Sequence, residues 1–337
     1  MWRLYLSLYY LTLIFGSIVA ITANSWMISW VGLEINLLAL MPLMAKLNEK
    51  YSSEATIKYF FIQAMASGLF LLASIFLSME YSFYSTYIYA INSFLMSSAL
   101  LLKIGAAPFH SWLPEVMSGS NWKVNFILLT WQKLAPMIII FQVTPNPLYL
   151  SIIIILSSII SGIQGMNQIC MRKIMAYSSI NHSSWMITAM FSSLVLWFCY
   201  YMIYVLINLS IIMMLSYSRI LNISQLNKFF STNKMMKFTF MFSFFNLGGL
   251  PPFLGFLPKW FIIMSIAQTK FFVLGFILII FTLVTLYFYT RIAMSTFTVN
   301  SEESLVNFFN KMNYFSIMIN IFSLITLICC TLLTNNL

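Results

Sequence analysis

The chain has 337 residues, 61% of them hydrophobic and only 7% charged; that leaves too little polar surface for a soluble globule of this size and places the chain in lipid. The net charge of +10 resembles a nucleic-acid signal until the cations are assigned to loops, where they describe membrane topology instead. Cys170, Cys199, Cys329 and Cys330 form no CxxC pair or zinc spacing, two histidines are too few for a pair of bis-histidine haems, and no glycine-rich turn follows a strand, so no redox group or metal is expected on this chain.

Apolar runs of about 20 residues recur from end to end, the length a helix needs to cross a bilayer. In chain order they predict spans at 4–22, 25–44, 55–79, 87–106, 122–141, 147–166, 173–190, 194–217, 238–266, 271–297 and 314–334. The expected fold is all-α, a polytopic membrane protein of about 11 transmembrane helices, some of them discontinuous. The runs lack the ten-residue alternation of a β-barrel. The longest polar candidate, the loop from Ser218 to Lys237, is too short for a soluble domain, so residues 1–337 are expected to form a single transmembrane domain. Met-Trp-Arg and the apolar run behind it also fit a cleaved signal, with Arg3 as the basic region and a cut near Ala20 or Ala23. An uncleaved span is preferred, because another span follows at once.

With the N-terminus on the basic side, the even-numbered loops hold Lys46, Lys50, Lys123, Arg172, Lys173, Arg219, Lys228, Lys234, Lys237 and Lys311, and Arg3, Lys58 and Arg291 sit at adjoining helix ends. The opposite side holds only Lys270. By the positive-inside rule the N-terminus and even loops face the cytoplasm or matrix, and the C-terminus faces the other side. A basic face against anionic lipid headgroups accounts for the charge.

Four charges break the apolar pattern. An ammonium near the bilayer centre costs roughly 3 kcal/mol on insertion scales, so Lys103, Lys133 and Lys259 point to a task, and moving charge is the natural one. Glu34 lies mid-span in NSWMISWVGLEINLLALMPL and must be paired or neutral; the plain alternative is a carboxyl that holds two helices together. Lys103 ends its run in ALLLKIGAAPFHSWLPEV, where Gly105 and Pro108 loosen the helix; snorkelling to the basic face is the alternative. Lys133 in LLTWQKLAPMIII has apolar neighbours on both sides, and Pro136 frees the carbonyl of Gln132, which suggests a small hydrated pocket.

The stretch GGLPPFLGFLPKW cannot form one regular helix, because Gly248, Gly249, Pro251, Pro252, Gly255 and Pro258 crowd it. Two half-helices around an unwound middle are predicted, with Lys259 beginning the second. His182, in MAYSSINHSSWMITAM, can relay protons, or can equally make a helix-packing hydrogen bond. His110 lies beyond the break at Pro108, where it could connect Lys103 to Lys133 or to water on the basic side. Glu54, Glu115, Arg172 and Lys173 read as surface charges.

These motifs together resemble the antiporter-like membrane subunits of mitochondrial NADH:ubiquinone oxidoreductase, respiratory complex I, and in particular its subunit 2 family. The resemblance covers essentially the whole chain and rests on the segment around Glu34, SSEATIKYF at 52–60, LLLKIGAAPFHSWLPE, TWQKLAP, NQxxxRKIMAYSSINH and GGLPPFLGFLPKW. It implies that Glu34 pairs with Lys103, that Lys133 bridges the middle, that Lys259 is the terminal charge, and that His110 and His182 belong to the same polar axis. It further implies a subunit of an H+-translocating NADH:ubiquinone reductase in the mitochondrial inner membrane, N-terminus in the matrix. The implied partners are the neighbouring antiporter-like chain 4, the small chain 4L, accessory subunits and lipids. NADH, FMN, iron–sulfur clusters and ubiquinone are implied in partner subunits. The chain departs from longer relatives in starting one helix before the Glu34 span, without three leading helices, and in carrying Ser184 where glycine is common before Trp185. Two rival classes are a free-standing cation/proton antiporter, which would work alone and require sodium or potassium, and a structural scaffold, which would tolerate loss of Lys133 or Lys259.

Overall fold

The structure, a computed structural model, describes residues 2–45, 49–79, 86–230, 234–251 and 253–297. The span expected over 314–334, Pro252, and the loop lysines Lys46 and Lys311 lie outside the described residues. Among the described residues the fold is all-α, as expected, with one isolated antiparallel bridge between Cys170 and Asn222. Six helical stretches there are long and apolar enough to cross a membrane: Trp26–Met44, Lys50–Leu77, Trp122–Val143, Pro147–Met166, Leu194–Ser218 and Phe272–Met294. Shorter apolar helices add to these at Tyr5–Ile21, Ala90–Ile104 and Phe256–Gln268.

The chain divides into two compact units, Met1–Ile153 and Ile154–Leu337. The first contains α1 (Trp2–Ile21), α2 (Trp26–Met44), α3 (Lys50–Met79), α4 (Thr86–Ile104), α5 (Trp112–Gly119), α6 (Trp122–Leu129) and α7 (Trp131–Val143), and α8 (Pro147–Met166) starts in it. Lipid tails are as apolar as leucine, so helices here gain little from hydrophobic burial and associate by close packing and polar contacts. The α1–α2 pair illustrates the first: a Cβ at Gly32 would lie 2.5 Å from Ala20 N and 2.8 Å from Gly16 O, so the backbones touch where only glycine fits. The second is seen where Trp30 Nε1 donates to Ser67 O at 3.1 Å, tying α2 to α3. Helix α4 packs between α3 and α7, and α5 rests on α3.

The second unit contains α9 (Met171–Met190), α10 (Leu194–Ser218), α11 (Ile223–Phe230), α12 (Lys234–Gly248), α13 (Phe256–Gln268) and α14 (Phe272–Phe297). Helix α9 is buried on every side from Ile174 to Met190 and is packed by α10, α13 and α14. Its serines and Thr188 are compatible with that burial because each of their hydroxyls back-bonds within the helix. Ser178 donates to Met175 O, Ser179 to Ala176 O, Ser183 to Ile180 O, Ser184 to Asn181 O and Thr188 to Trp185 O, all at 2.6 to 2.7 Å. The serines therefore leave the span helical. Between α10 and α11 the chain returns to the start of α9, where Met171 N donates to Leu221 O at 2.8 Å and Ile223 N to Ile169 O at 3.2 Å.

Three features differ from the sequence expectation. The span at 122–141 is two helices, broken at Thr130, while α7 runs through Pro136. At Thr130 both the backbone N–H (3.0 Å) and the hydroxyl (2.6 Å) donate to Phe126 O, and Lys133 N turns to Thr130 O in a tighter i→i+3 bond. The short helices α5 and α11 lie in segments too brief to register as spans. Helix α3 begins at Lys50, its first turn helped by the hydroxyls of Ser52 and Ser53 bonded to Glu49 O and Lys50 O.

Candidate functional site

Lys103 lies in the last turn of α4, 6% exposed. The helix ends there because Gly105 adopts φ +77, a left-handed conformation that lets both Gly105 N and Ala106 N donate to Leu101 O. Gly105 N also reaches Leu102 O at 3.2 Å, and the two carbonyls after Leu101 gain further partners from elsewhere in the unit. Trp112 Nε1, from α5, donates to Leu102 O at 3.1 Å, and Gln63 Nε2, from α3, to Lys103 O at 3.4 Å. A helix end with its carbonyls bonded can stay buried. The backbone of Lys103 is thus fixed at depth, and the side chain is buried rather than snorkelling to an exposed face.

Glu34, on α2, is half-buried and acts through its charge on Lys103 and on the buried Tyr59 of α3. No direct ion pair joins Glu34 and Lys103; the ion pairs among the described residues are those of Lys58 with Glu54 and Glu115, both 2.9 Å, on an exposed face. Glu54 and Glu115 are therefore surface charges, as expected. Arg172 and Lys173, in the first turn of α9, are half-buried, more enclosed than the sequence suggested.

Lys133 is 1% exposed, in the first turn of α7 just after the break at Thr130. Its neighbour Gln132 reaches α2, where Nε2 donates to Asn36 Oδ1 at 2.8 Å. Asn36 and Gln132 line a small polar cavity together with Tyr59, Gln63 and Lys103. The first unit thus gathers Glu34, Lys103 and the turn bearing Lys133 around buried amides. His110 lies on the irregular segment after α4, half-exposed, with Nδ1 3.1 Å from Pro108 O.

In the second unit the predicted break is present, with α12 ending at Gly248 and α13 beginning at Phe256. Gly249, at φ +76, turns the chain, and its N–H and that of Leu250 close back on Phe245 O. Gly255 N donates to Asn246 Oδ1 at 2.7 Å, which stitches the two half-helices together. Lys259, 6% exposed, sits in the first turn of α13, where its own helix end carries partial positive charge. Its side chain bends back across the break instead, and Nζ donates to Gly248 O at 2.8 Å, at the negative end of α12. The same Nζ lies 6.0 Å from the ring centroid of Trp185, within cation–π range.

Trp185 is one turn along α9 from His182. That histidine is 4% exposed, its Nδ1 is 2.8 Å from Tyr200 OH, and its ring packs 5.1 Å from that of Tyr204. Asn181 Nδ2 donates to Thr285 Oγ1 at 3.2 Å and ties α9 to α14. The second unit so brings His182 and Lys259 to neighbouring turns around Trp185. The amides Asn36, Gln63, Gln132 and Asn246 and the phenols Tyr59, Tyr200 and Tyr204 were not singled out from the sequence. The signal that could have found them is a polar residue inside an apolar span, as in FFIQAMASG and SFFNLGGL.

Residues 23–286 match the family described as NADH:quinone oxidoreductase/Mrp antiporter, TM. The chain is 42% identical over 326 residues to NADH-ubiquinone oxidoreductase chain 2 of Anopheles gambiae, covering 94% of each. Its fold is similar to that of a chain of respiratory complex I from Thermus thermophilus, with a TM-score of 0.87 and 22% identity over 98% of this chain and 78% of that one. It is also similar to a chain of the Mrp complex from a Dietzia species, with a TM-score of 0.82 and 13% identity over 96% of this chain and 75% of that one. These two solved structures share the fold. From its sequence matches, the chain belongs to the NADH-ubiquinone oxidoreductase chain 2 family of NADH:quinone oxidoreductase/Mrp antiporter membrane proteins.

Proposed function

We propose that this chain is a membrane-arm subunit of an H+-translocating NADH:ubiquinone oxidoreductase in the mitochondrial inner membrane, and that Glu34, Lys103, Lys133 and Lys259 carry its proton transfer. The observation behind this reading is the burial of three lysines, at 6%, 1% and 6% exposure, each at a helix break. An ammonium held in that setting without a task only destabilises. The breaks supply the backbone carbonyls and amides that a buried cation and its water need.

In this mechanism, protonation or displacement at Glu34 and Lys103, coupled through their charges without a direct ion pair, changes the field at Lys133, which in turn acts on Lys259. Two like charges about 8 Å apart at an effective dielectric near 20 repel by roughly 2 kcal/mol. Moving one proton against about 180 mV requires roughly 4 kcal/mol. One neighbouring charge is insufficient, so the lysines act in series, with His182 and His110 as relay groups. The driving force comes from redox chemistry in partner subunits that hold NADH, FMN, iron–sulfur clusters and ubiquinone, and the neighbours in the membrane arm are the antiporter-like chain 4, the small chain 4L, accessory subunits and lipids. In this arrangement the N-terminus faces the matrix and the C-terminus the intermembrane space, and the 337 residues work as one transmembrane domain.

Extraction of native membranes in mild detergent should show the chain migrating with a very large assembly that oxidises NADH and reduces quinone; a small particle without NADH oxidation would favour the autonomous antiporter. Within that assembly, Lys259→Ala is expected to abolish proton transfer at this subunit while leaving the assembly intact. An assembled enzyme with undiminished proton stoichiometry would count against the reading.

A further inference from the structure

The second unit gathers cations at one junction on its basic side. The isolated bridge between Cys170 and Asn222 lies just before α9 and just after α10. Lys173, in the first turn of α9, and Arg219, which ends α10 at φ +52, each stand three residues from that bridge. Arg291 of α14 reaches the same junction, where Nη2 donates to Gln168 O at 3.2 Å. Arg219 and Arg291 are exposed, and Lys173 is half-buried. A cation in the first turn of a helix meets the positive end of the helix dipole, and Cys170 at the N-cap of α9 adds no side-chain hydrogen bond to offset it.

The sequence supplies little counter-charge for these three cations. Between Glu115 and Glu302 it contains no aspartate or glutamate. Glu302 and Glu303 lie outside the described residues, and two carboxylates are fewer than three cations. Next to Arg291 the surface turns apolar. Tyr287 and Leu283 precede Arg291 by about one and two turns near the same face of α14, and both are more than half exposed, as is Ile163 of α8. The two helices pack closely beside these side chains: a Cβ at Gly162 would lie 3.2 Å from Phe281 Cδ1, and one at Gly165 would lie 2.9 Å from Phe288 Cε1. A tyrosine one turn from a basic helix end suits the headgroup boundary of a bilayer.

We propose that Lys173, Arg219 and Arg291 form a binding site for the phosphate of an anionic phospholipid, whose acyl chains lie along Leu283 and Tyr287 of α14 and Ile163 of α8. A phosphodiester accepts charge-assisted hydrogen bonds from guanidinium and ammonium groups. Its acyl chains cover the apolar wall that begins one turn from Arg291. An acidic protein loop would match the cations and leave that wall bare, so the lipid is the occupant that fits both. The bound lipid ties the ends of α10 and α14 to the start of α9, the helix that carries His182 and Trp185. The site goes beyond the proton-transfer reading and does not depend on it.

The test compares the assembled wild-type enzyme with the double variant Arg219→Gln, Arg291→Gln after extensive washing in mild detergent. Phospholipids retained by each are extracted and counted by mass spectrometry, and subunits are followed on native gels. The wild type should retain an anionic phospholipid that the glutamine variant loses with its subunits unchanged, and Arg219→Lys, Arg291→Lys should keep it. Equal retention in the wild type and the glutamine variant overturns the proposal. Loss of a protein subunit with the lipid count unchanged also overturns it, because the occupant is then an acidic protein. If the glutamine variant does not assemble, density of the unmodified complex decides. A phosphate at Arg291 with acyl chains along Leu283 and Tyr287 supports the site. An isolated ion, a carboxylate of a neighbouring chain, or Glu302 or Glu303 of this chain in that place overturns it. Failure of the function reading is seen separately, as a particle that does not oxidise NADH, and the lipid count of that particle tests the site in the same way.

Discussion

Gly255→Ala leaves every proposed proton-carrying residue in place and asks whether the geometry of the broken helix matters. A Cβ at position 255 would lie 1.9 Å from Asn246 O and 3.1 Å from Asn246 Oδ1, the atom that accepts the 2.7 Å bond from Gly255 N. Reaching van der Waals contact requires about 1.5 Å of separation between the end of α12 and the start of α13. Overpacking of this kind costs about 1–3 kcal/mol. The shift also parts Lys259 Nζ from Gly248 O, a bond to a charged donor worth about 1.5–3 kcal/mol. The substitution should therefore lower the temperature at which the assembled enzyme dissociates. It should also reduce the proton-to-electron ratio in vesicles towards that of Lys259→Ala, although Lys259 is still present. A Gly255→Ala enzyme that keeps the full ratio would refute the reasoning, because Lys259 would then work without its anchor at the end of α12.

Three further substitutions probe the frame around the site. Gly32→Ala forces α1 and α2 apart at a contact of 2.5 Å and should destabilise the chain by about 1–3 kcal/mol, read as a lower dissociation temperature with an unchanged proton ratio. Trp112→Phe keeps the ring but removes the indole bond to Leu102 O. Leu102 O keeps its 3.2 Å bond from Gly105 N, so losing the second bond should cost about 0.5–1.5 kcal/mol and lower turnover through the mobility of Lys103, measured by NADH oxidation at rising temperature. Lys58→Ala breaks two ion pairs on an exposed face and should leave both stability and turnover unchanged, since solvent screens such pairs.

The breaks differ in how far the sequence disclosed them. The one around Lys259 was legible because glycine and proline crowd it, and those residues act on the backbone wherever they stand. The end of α4 was legible in outline from Gly105 and Pro108, but its closure by Trp112 and Gln63 was not, because those bonds come from elsewhere in the chain. The break at Thr130 carried no local mark. Threonine is common in membrane helices, and its second bond to Phe126 O becomes meaningful only once Gln132 is seen bonded to Asn36. The buried lysines declared themselves by cost. The amides did not, because a neutral polar side chain inside a span is usually glue between helices. Helix α11 was hidden for a simpler reason: eight residues are too few for an apolar run to register.

The bonded end of α4 also bears on timing. With the carbonyls of Leu102 and Lys103 held by two different helices, the main chain at Lys103 has little freedom, and the motion available there is reorientation of the aminobutyl side chain in its cavity. Side-chain reorientation is far faster than the collective helix displacements of microseconds to milliseconds. A response at Lys103 would thus keep pace with any change of charge on Glu34, and the slow event of each cycle would lie in whatever moves that charge.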